Sequence, residues 1–164
     1  MKKILLVILL FTAANINHSF ANSGNGTSPL LSSYYELKNA LVGSNQQLAA
    51  QKAAELTASV PSLDISSLAG DELKTVKDLQ IKLSADAKAI AGAKDLVTQR
   101  NAFSSLSFSV YALAKVIKLS DQTFYYDFCP MKKSYWLSSE AAIKNPYFGN
   151  QMLTCGSVKD TINP

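Results

Sequence analysis

The sequence of 164 residues has a single histidine, His18, and it lies in a segment typical of a secretory signal peptide. A pair of lysines precedes an apolar run at 4–14, which is too short to cross a bilayer. The small-x-small pattern at 19–21 follows, so we predict cleavage after Ala21. A mature chain without histidine excludes Ser-His-Asp and Cys-His catalysis and a Cys2His2 zinc site. We therefore predict that the protein is not an enzyme.

A strong charge of either sign is also missing. The sequence has 16 basic and 12 acidic residues, and removal of 1–21 leaves 14 against 12. Lys132-Lys133 is then the only adjacent basic pair, which does not resemble a nucleic-acid footprint. No later apolar run is long enough for a membrane helix. We expect a periplasmic or secreted protein with no membrane span in its mature chain, in a compartment where disulfides persist.

Helical periodicity fills most of the remaining sequence. We predict a flexible leader at 22–28 and one domain at 29–164. Apolar residues recur at three- and four-residue spacing in four segments with Gly or Pro between them. These predicted helices cover about 30–42, 44–60, 71–90 and 94–119, and Ser44 is the expected N-cap of the second. Their short links favour a mainly α fold, a four-helix up-down bundle.

From about residue 120 aromatic side chains replace the helical pattern, which predicts an irregular C-terminal cap on the bundle. By residue type, 123–128 favours a short strand and 140–143 one helical turn. Arg100, in the fourth helix, is expected to pair with Asp127 or Glu36 or to bond carbonyl groups of the cap. Four aromatic residues are expected to form the core of the cap or to line a ligand pocket: Tyr135, Trp136, Tyr147 and Phe148.

The two cysteines lie in this cap, each close to a methionine, in Cys129-Pro130-Met131 and Met152-Leu153-Thr154-Cys155. Thiolates and thioethers are soft ligands that suit Cu(I) better than Mg, Ca or Mn. One interpretation is therefore a Cu(I) or Ag(I) site in which Cys129, Met131, Met152 and Cys155 are the ligands. The other is a structural Cys129–Cys155 disulfide, worth about 3–4 kcal/mol for a loop of this length, with the methionines packed on aromatic rings. Both remain open, and an oxidised metal-free state and a reduced metal-loaded state can interconvert.

Several motifs together resemble a known family. They are Tyr35-x-Leu37-Lys38-Asn39-Ala40-Leu41-Val42, Arg100-x-x-Phe103-x-x-Leu106-Ser107, Cys129-Pro130-Met131, Tyr135-Trp136-Leu137-Ser138, Ile143-Lys144-Asn145-Pro146-Tyr147-Phe148-Gly149 and Met152-Leu153-Thr154-Cys155-Gly156. With them the chain resembles the bacterial domain of unknown function 3347 over nearly all of its mature length. Such domains occur alone in exported proteins and attached to periplasmic adaptor subunits of copper and silver efflux systems. The resemblance implies a periplasmic helical domain linked to heavy-metal handling. With the soft sulfur ligands, we expect Cu(I) as the metal and a heavy-metal efflux complex or another envelope protein as the partner.

Overall fold

A computed structural model describes residues 26–164, as four helices followed by a three-stranded sheet. The predicted signal peptide lies outside the described residues. The helices are α1 (Pro29–Val42), α2 (Gln46–Ser59), α3 (Gly70–Gly92) and α4 (Leu96–Ala114). The strands are β1 (Phe124–Cys129), β2 (Ser134–Ser138) and β3 (Ser157–Ile162). Two 3-10 turns lie at Val60–Ser62 and Gly149–Gln151.

Side-chain caps fix the start of three helices. The Ser28 hydroxyl accepts from Leu31 N at 3.3 Å, and Pro29 occupies the first turn of α1, where a missing N–H costs nothing. Asn45 caps α2, and Asp95 caps α4 with a 2.7 Å bond from Thr98 N. The prediction of Ser44 as the cap of α2 is wrong by one residue. Ser44 has a φ of 54°, the left-handed conformation that completes the turn out of α1.

The apolar stripes of the helices meet in one core, and each helix packs mainly on the next one in the chain. The mainly α fold with four helices is thus confirmed. The fourth helix is shorter than predicted, because the chain leaves the α-helix after Ala114 in a tight turn. Residues 26–28, assigned above to the leader, bond to 119–121 instead: Ser28 N donates to Leu119 O and Asp121 N to Gly26 O. The described end of the leader is therefore fixed to the domain.

The cap contains more regular structure than the single strand that the sequence predicted. The sheet is antiparallel in the order β2-β1-β3, with Asp127 paired to Trp136 on one side and to Val158 on the other. The register with β3 shifts between Tyr126 and Asp127, an irregularity that increases local twist. The helical turn predicted at 140–143 is absent from the described chain, and a 3-10 turn forms at Gly149–Gln151 instead.

Two tyrosine hydroxyls attach the outer edge of β2 to the bundle. Tyr34 OH, from α1, accepts from Leu137 N at 3.0 Å, and Tyr147 OH donates to Tyr135 O. Tyr34 is fully buried and stacks on Phe103 of α4 at 5.3 Å. The backbone groups of this sheet edge are therefore satisfied by helix and loop side chains rather than by water. Within residues 26–164 no helix is both long and apolar enough to span a membrane.

Candidate functional site

The candidate site is the meeting point of the two sulfur motifs. Cys129 ends β1 and is fully buried, whereas Cys155 lies just before β3 and is half-buried. Gly156 allows this approach, since a Cβ there would lie 2.8 Å from Trp136 Cη2 and 3.0 Å from Phe128 O. Both cysteines are unbonded thiols. The fold thus brings two thiols together that are far apart in the sequence.

Asn145 connects the two motifs. Its Nδ2 group donates to Cys129 Sγ at 3.1 Å and to Cys155 O at 2.7 Å. Its Oδ1 accepts from Tyr147 N at 2.8 Å, and its own N–H donates to Leu153 O at 2.8 Å. The side chain is fully buried, so every polar group that it carries needs a protein partner. Asn145 therefore fixes the backbone of Cys155 relative to the Cys129 thiol.

The Cys155 thiol lies close enough to Cys129 for that side chain to affect its ionisation. The pKa of the Cys155 thiol is raised, first by burial, then by the negative potential of Cys129 and a hydrogen bond with the Cys129 side chain. Cys129 Sγ also accepts from Lys132 N at 3.4 Å, within the range of a bond to sulfur. Because the negative potential of Cys129 disfavours ionisation of Cys155, a cation bound between the two sulfurs would favour loss of the Cys155 proton.

The structure places the methionines less centrally than the metal hypothesis requires. Met131 lies in the β1–β2 turn with 65% of its surface exposed, so its thioether is outside the buried cluster. Met152 is half-buried, and its carbonyl accepts from Cys155 N at 3.1 Å, which places its backbone one turn from the thiol. Among residues 26–164 no group of three or more His, Cys, Asp or Glu side chains is placed to hold a metal.

The four aromatic residues predicted as core or pocket have different positions. Trp136 and Tyr147 are buried, with ring centroids 6.0 Å apart in an edge-to-face contact. Phe148 is half-buried, and Tyr135 is 37% exposed. Trp136 and Tyr147 therefore form the core of the cap beneath the thiols, whereas Tyr135 lies at its surface.

Arg100 holds the loop that carries Asn145. Its Nε donates to Pro146 O at 2.8 Å, and its Nη2 donates to Leu41 O at 3.1 Å and to Ser44 Oγ at 2.9 Å. Of the two expectations for Arg100, the bond to cap carbonyls is what the structure has. Gly149, three residues after Pro146 in the same loop, packs closely on the end of α1, because a Cβ there would lie 2.8 Å from Val42 O.

A second buried polar group lies in the same strand as Cys129. Asp127 is fully buried, and neither carboxylate oxygen has a hydrogen-bond partner in the described chain. Burial raises its pKa to about 6, although the nearby charge of Lys38 lowers it. Lys38 is itself buried in α1, and burial lowers its pKa. The sequence analysis did not predict this pair. Two features of the sequence could have indicated it: a carboxylate inside an apolar strand, and a lysine among the apolar residues of α1.

The fold and the site define a class of protein: a helical bundle extended by a small antiparallel sheet that holds two thiols against a buried asparagine. The family model described as Protein of unknown function (DUF3347) matches residues 30–122, and the chain belongs to this family. The matched region covers the four helices and ends before the cysteines. The family match therefore covers less of the chain than the motifs suggested, since these extended over nearly all of the mature sequence. No curated protein and no solved structure matches the chain.

Proposed function

We propose that the protein binds a soft monovalent metal ion, Cu(I), through the thiolates of Cys129 and Cys155. The observation that carries the proposal is the double hydrogen bond of Asn145 Nδ2 to Cys129 Sγ and Cys155 O, which holds both sulfur motifs at one point. Soft sulfur ligands select Cu(I) over the hard cations. Cys129 is fully buried and Cys155 half-buried, so a metal ion could reach the pair from the side of Cys155.

Charge and proton balance favour a monovalent ion at this position. Two thiolates and one Cu(I) carry a net charge of −1, and N–H donors from Asn145 and Lys132 already point at Cys129 Sγ. Metal binding requires both thiols to lose their protons, so it is coupled to pH. Met152 is half-buried and its carbonyl accepts from Cys155 N, so it would be the third ligand, whereas exposed Met131 would have to turn inward to be the fourth.

In the cell, the proposed role is that of a periplasmic Cu(I) buffer or an accessory to a metal efflux complex. Support comes from the signal-peptide pattern at 1–21 and from the resemblance to domains attached to copper and silver efflux adaptors. Export to an oxidising compartment makes the site redox-dependent, since only the reduced pair can bind metal.

The alternative is an envelope interaction module closed by a Cys129–Cys155 disulfide. The common attachment of the two sulfur motifs to Asn145 favours it, since it keeps the Cys155 backbone beside the Cys129 thiol. Oxidation would link the end of β1 to the segment before β3, with about 3–4 kcal/mol of stabilisation from loop closure. Under this alternative the sulfurs have no metal to hold, and the protein acts through its surface.

A Cu(I) titration of reduced protein against a chromogenic Cu(I) chelator separates the two functions. We expect one Cu(I) per chain, loss of that uptake in Cys129→Ser and in Cys155→Ser, and weaker binding in Met152→Leu. Met131→Leu is the matched control, because it removes an exposed thioether and should change affinity little. Uptake by Cys129→Ser equal to that of the wild type would contradict the metal site. Protein purified from the periplasm that is lighter by two hydrogen masses and takes up no Cu(I) after reduction would establish the alternative.

A further inference from the structure

A row of aromatic rings crosses from the bundle to the edge of the sheet, on the face of β1 that carries Tyr126. Tyr111 of α4 stacks on Tyr126 with ring centroids 3.7 Å apart, and Tyr126 stacks on Tyr135 at 4.8 Å. Tyr135 in turn contacts Phe128 at 4.6 Å. The row is rigid, because two strands and a helix hold it, and rigid aromatic groups lose little entropy on binding.

The row opens to solvent and is continued by two exposed apolar residues. Phe108 lies one helical turn before Tyr111 and is 61% exposed, and Met131, in the turn after Phe128, is 65% exposed. We call Phe108, Tyr111, Phe128, Met131 and Tyr135 the aromatic surface. Exposed apolar groups that cluster in this way mark sites of interaction with other molecules.

Lysines surround the aromatic surface. Lys159 Nζ lies 5.8 Å from the Phe128 ring centroid, and Lys115 Nζ lies 4.8 Å from that of Tyr111. Lys132 and Lys133 occupy the same turn as Met131. Asp160 of β3 accepts 2.6 Å hydrogen bonds from Lys115 and Tyr111, so this carboxylate is already paired within the surface.

Three lysines beside the aromatic surface carry a charge that no carboxylate offsets. Within residues 26–164, Lys132, Lys133 and Lys159 have no carboxylate partner, a property they share with the exposed lysines Lys77, Lys88 and Lys94. Lys132 Nζ donates to the neutral side chain of Asn101 at 2.6 Å, which leaves its charge uncompensated. The aromatic surface therefore combines exposed rings with uncompensated positive charge.

We propose that the aromatic surface docks an acidic segment of a partner protein, with an apolar side chain of that segment on Tyr135 and Phe128 and its carboxylates facing Lys132 and Lys159. A second copy of this chain fits poorly, since it would bring lysines against lysines. Nucleic acid fits less well than an acidic peptide, because the surface has no arginine and the mature chain is nearly neutral. This proposal is independent of the metal site.

The test follows amide and side-chain NMR signals of the protein during titration with three probes. They are a blocked Glu-Glu-Phe-Glu-Glu peptide, its Lys-Lys-Phe-Lys-Lys counterpart and a single-stranded oligothymidylate. We expect the acidic peptide to shift the signals of Tyr135, Phe128 and Lys159, with an affinity that falls several-fold between low and high salt. Lys159→Glu should weaken binding about five-fold, and Tyr135→Ser should weaken it by a similar factor. Lys88→Glu is the matched control, because Lys88 is exposed, has no carboxylate partner in residues 26–164 and lines a depression with Val60 and Ile65, and this variant should bind as the wild type does.

Four results would overturn the proposal. They are no shift of these signals at millimolar acidic peptide, equal binding of the basic peptide, tighter binding of the oligothymidylate, and self-association in sedimentation experiments that Tyr135→Ser abolishes.

Discussion

Asp127→Asn is expected to stabilise the protein at neutral and higher pH and to have little effect in acid. The wild-type carboxyl group is fully buried without a hydrogen-bond partner in the described chain, and burial raises its pKa from 3.8 to about 6. A carboxyl group whose pKa is higher in the folded state binds its proton more tightly there. The folded state therefore loses stability as pH rises from about 4 to about 6, and the penalty is complete above that range.

The size of the effect follows from the shift in pKa. A shift of about two pH units corresponds to roughly 3 kcal/mol, which is an upper limit for the gain in Asp127→Asn. Two factors reduce it. The amide leaves polar atoms buried in the same place, and Lys38 loses the opposite charge that helps to keep it ionised. We expect a net gain of about 1–2 kcal/mol near pH 8 and almost none near pH 4.

Urea unfolding of the reduced protein at about pH 4 and about pH 8 measures this difference. Asp160→Asn is the matched control with the opposite sign. Hydrogen bonds from Lys115 and Tyr111 lower the pKa of Asp160 below its ordinary value of 3.8, so its replacement should reduce stability by nearly the same amount near pH 8 and near pH 4, and the loss should fade only at still lower pH. If Asp127→Asn lowered the free energy of unfolding at pH 8, or changed it equally at both pH values, the argument from an unpaired buried carboxylate would be refuted.

Three further predictions concern the thiol site. Asn145→Ala removes both donors of the buried amide, so it should lower stability by about 2–3 kcal/mol and weaken Cu(I) binding. Urea unfolding and chelator competition measure the two effects. Unchanged Cu(I) affinity would show that the thiols do not need this side chain. Gly149→Ala should lower the free energy of unfolding by about 1–3 kcal/mol, because φ at this position is 57° and the new methyl group would lie 2.8 Å from Val42 O. A melting temperature equal to that of the wild type would contradict this close packing of Gly149 on the end of α1. Because the pKa of the Cys155 thiol is raised, Cu(I) affinity should increase from about pH 6 to about pH 9 with release of protons, and a flat profile would mean that no thiol ionises on binding.

The helices were largely predictable because their signals are local. Apolar residues at three- and four-residue spacing, with Gly43 and Pro61 as breaks, place α1 and α2 within a few residues of their observed bounds. The N-cap of α2 was misplaced because Ser and Asn are adjacent, and only the backbone geometry shows that Ser44 is in the left-handed conformation.

The sheet was harder to predict. Strand β3 is mostly exposed, so it lacks the alternation of apolar and polar residues that marks a half-buried strand. It pairs with β1 across about thirty residues, and no local pattern encodes such a contact. Tyr126 and Tyr135, which the sequence offers only as aromatic residues of the cap, become neighbours in a stack through this pairing of strands.

The sequence by itself determined the helical domain, the absence of histidine after residue 18 and a set of four soft sulfur atoms in the last third of the chain, apart from that of Met1. Only the tertiary structure decided that Cys129 and Cys155 meet, that Asn145 holds them and that Met131 points to solvent. The physical reason is the range of the interactions. Helix formation and ligand chemistry depend on residue type and short spacing, whereas the meeting of two thiols depends on long-range packing that Arg100 and the buried core of the cap enforce.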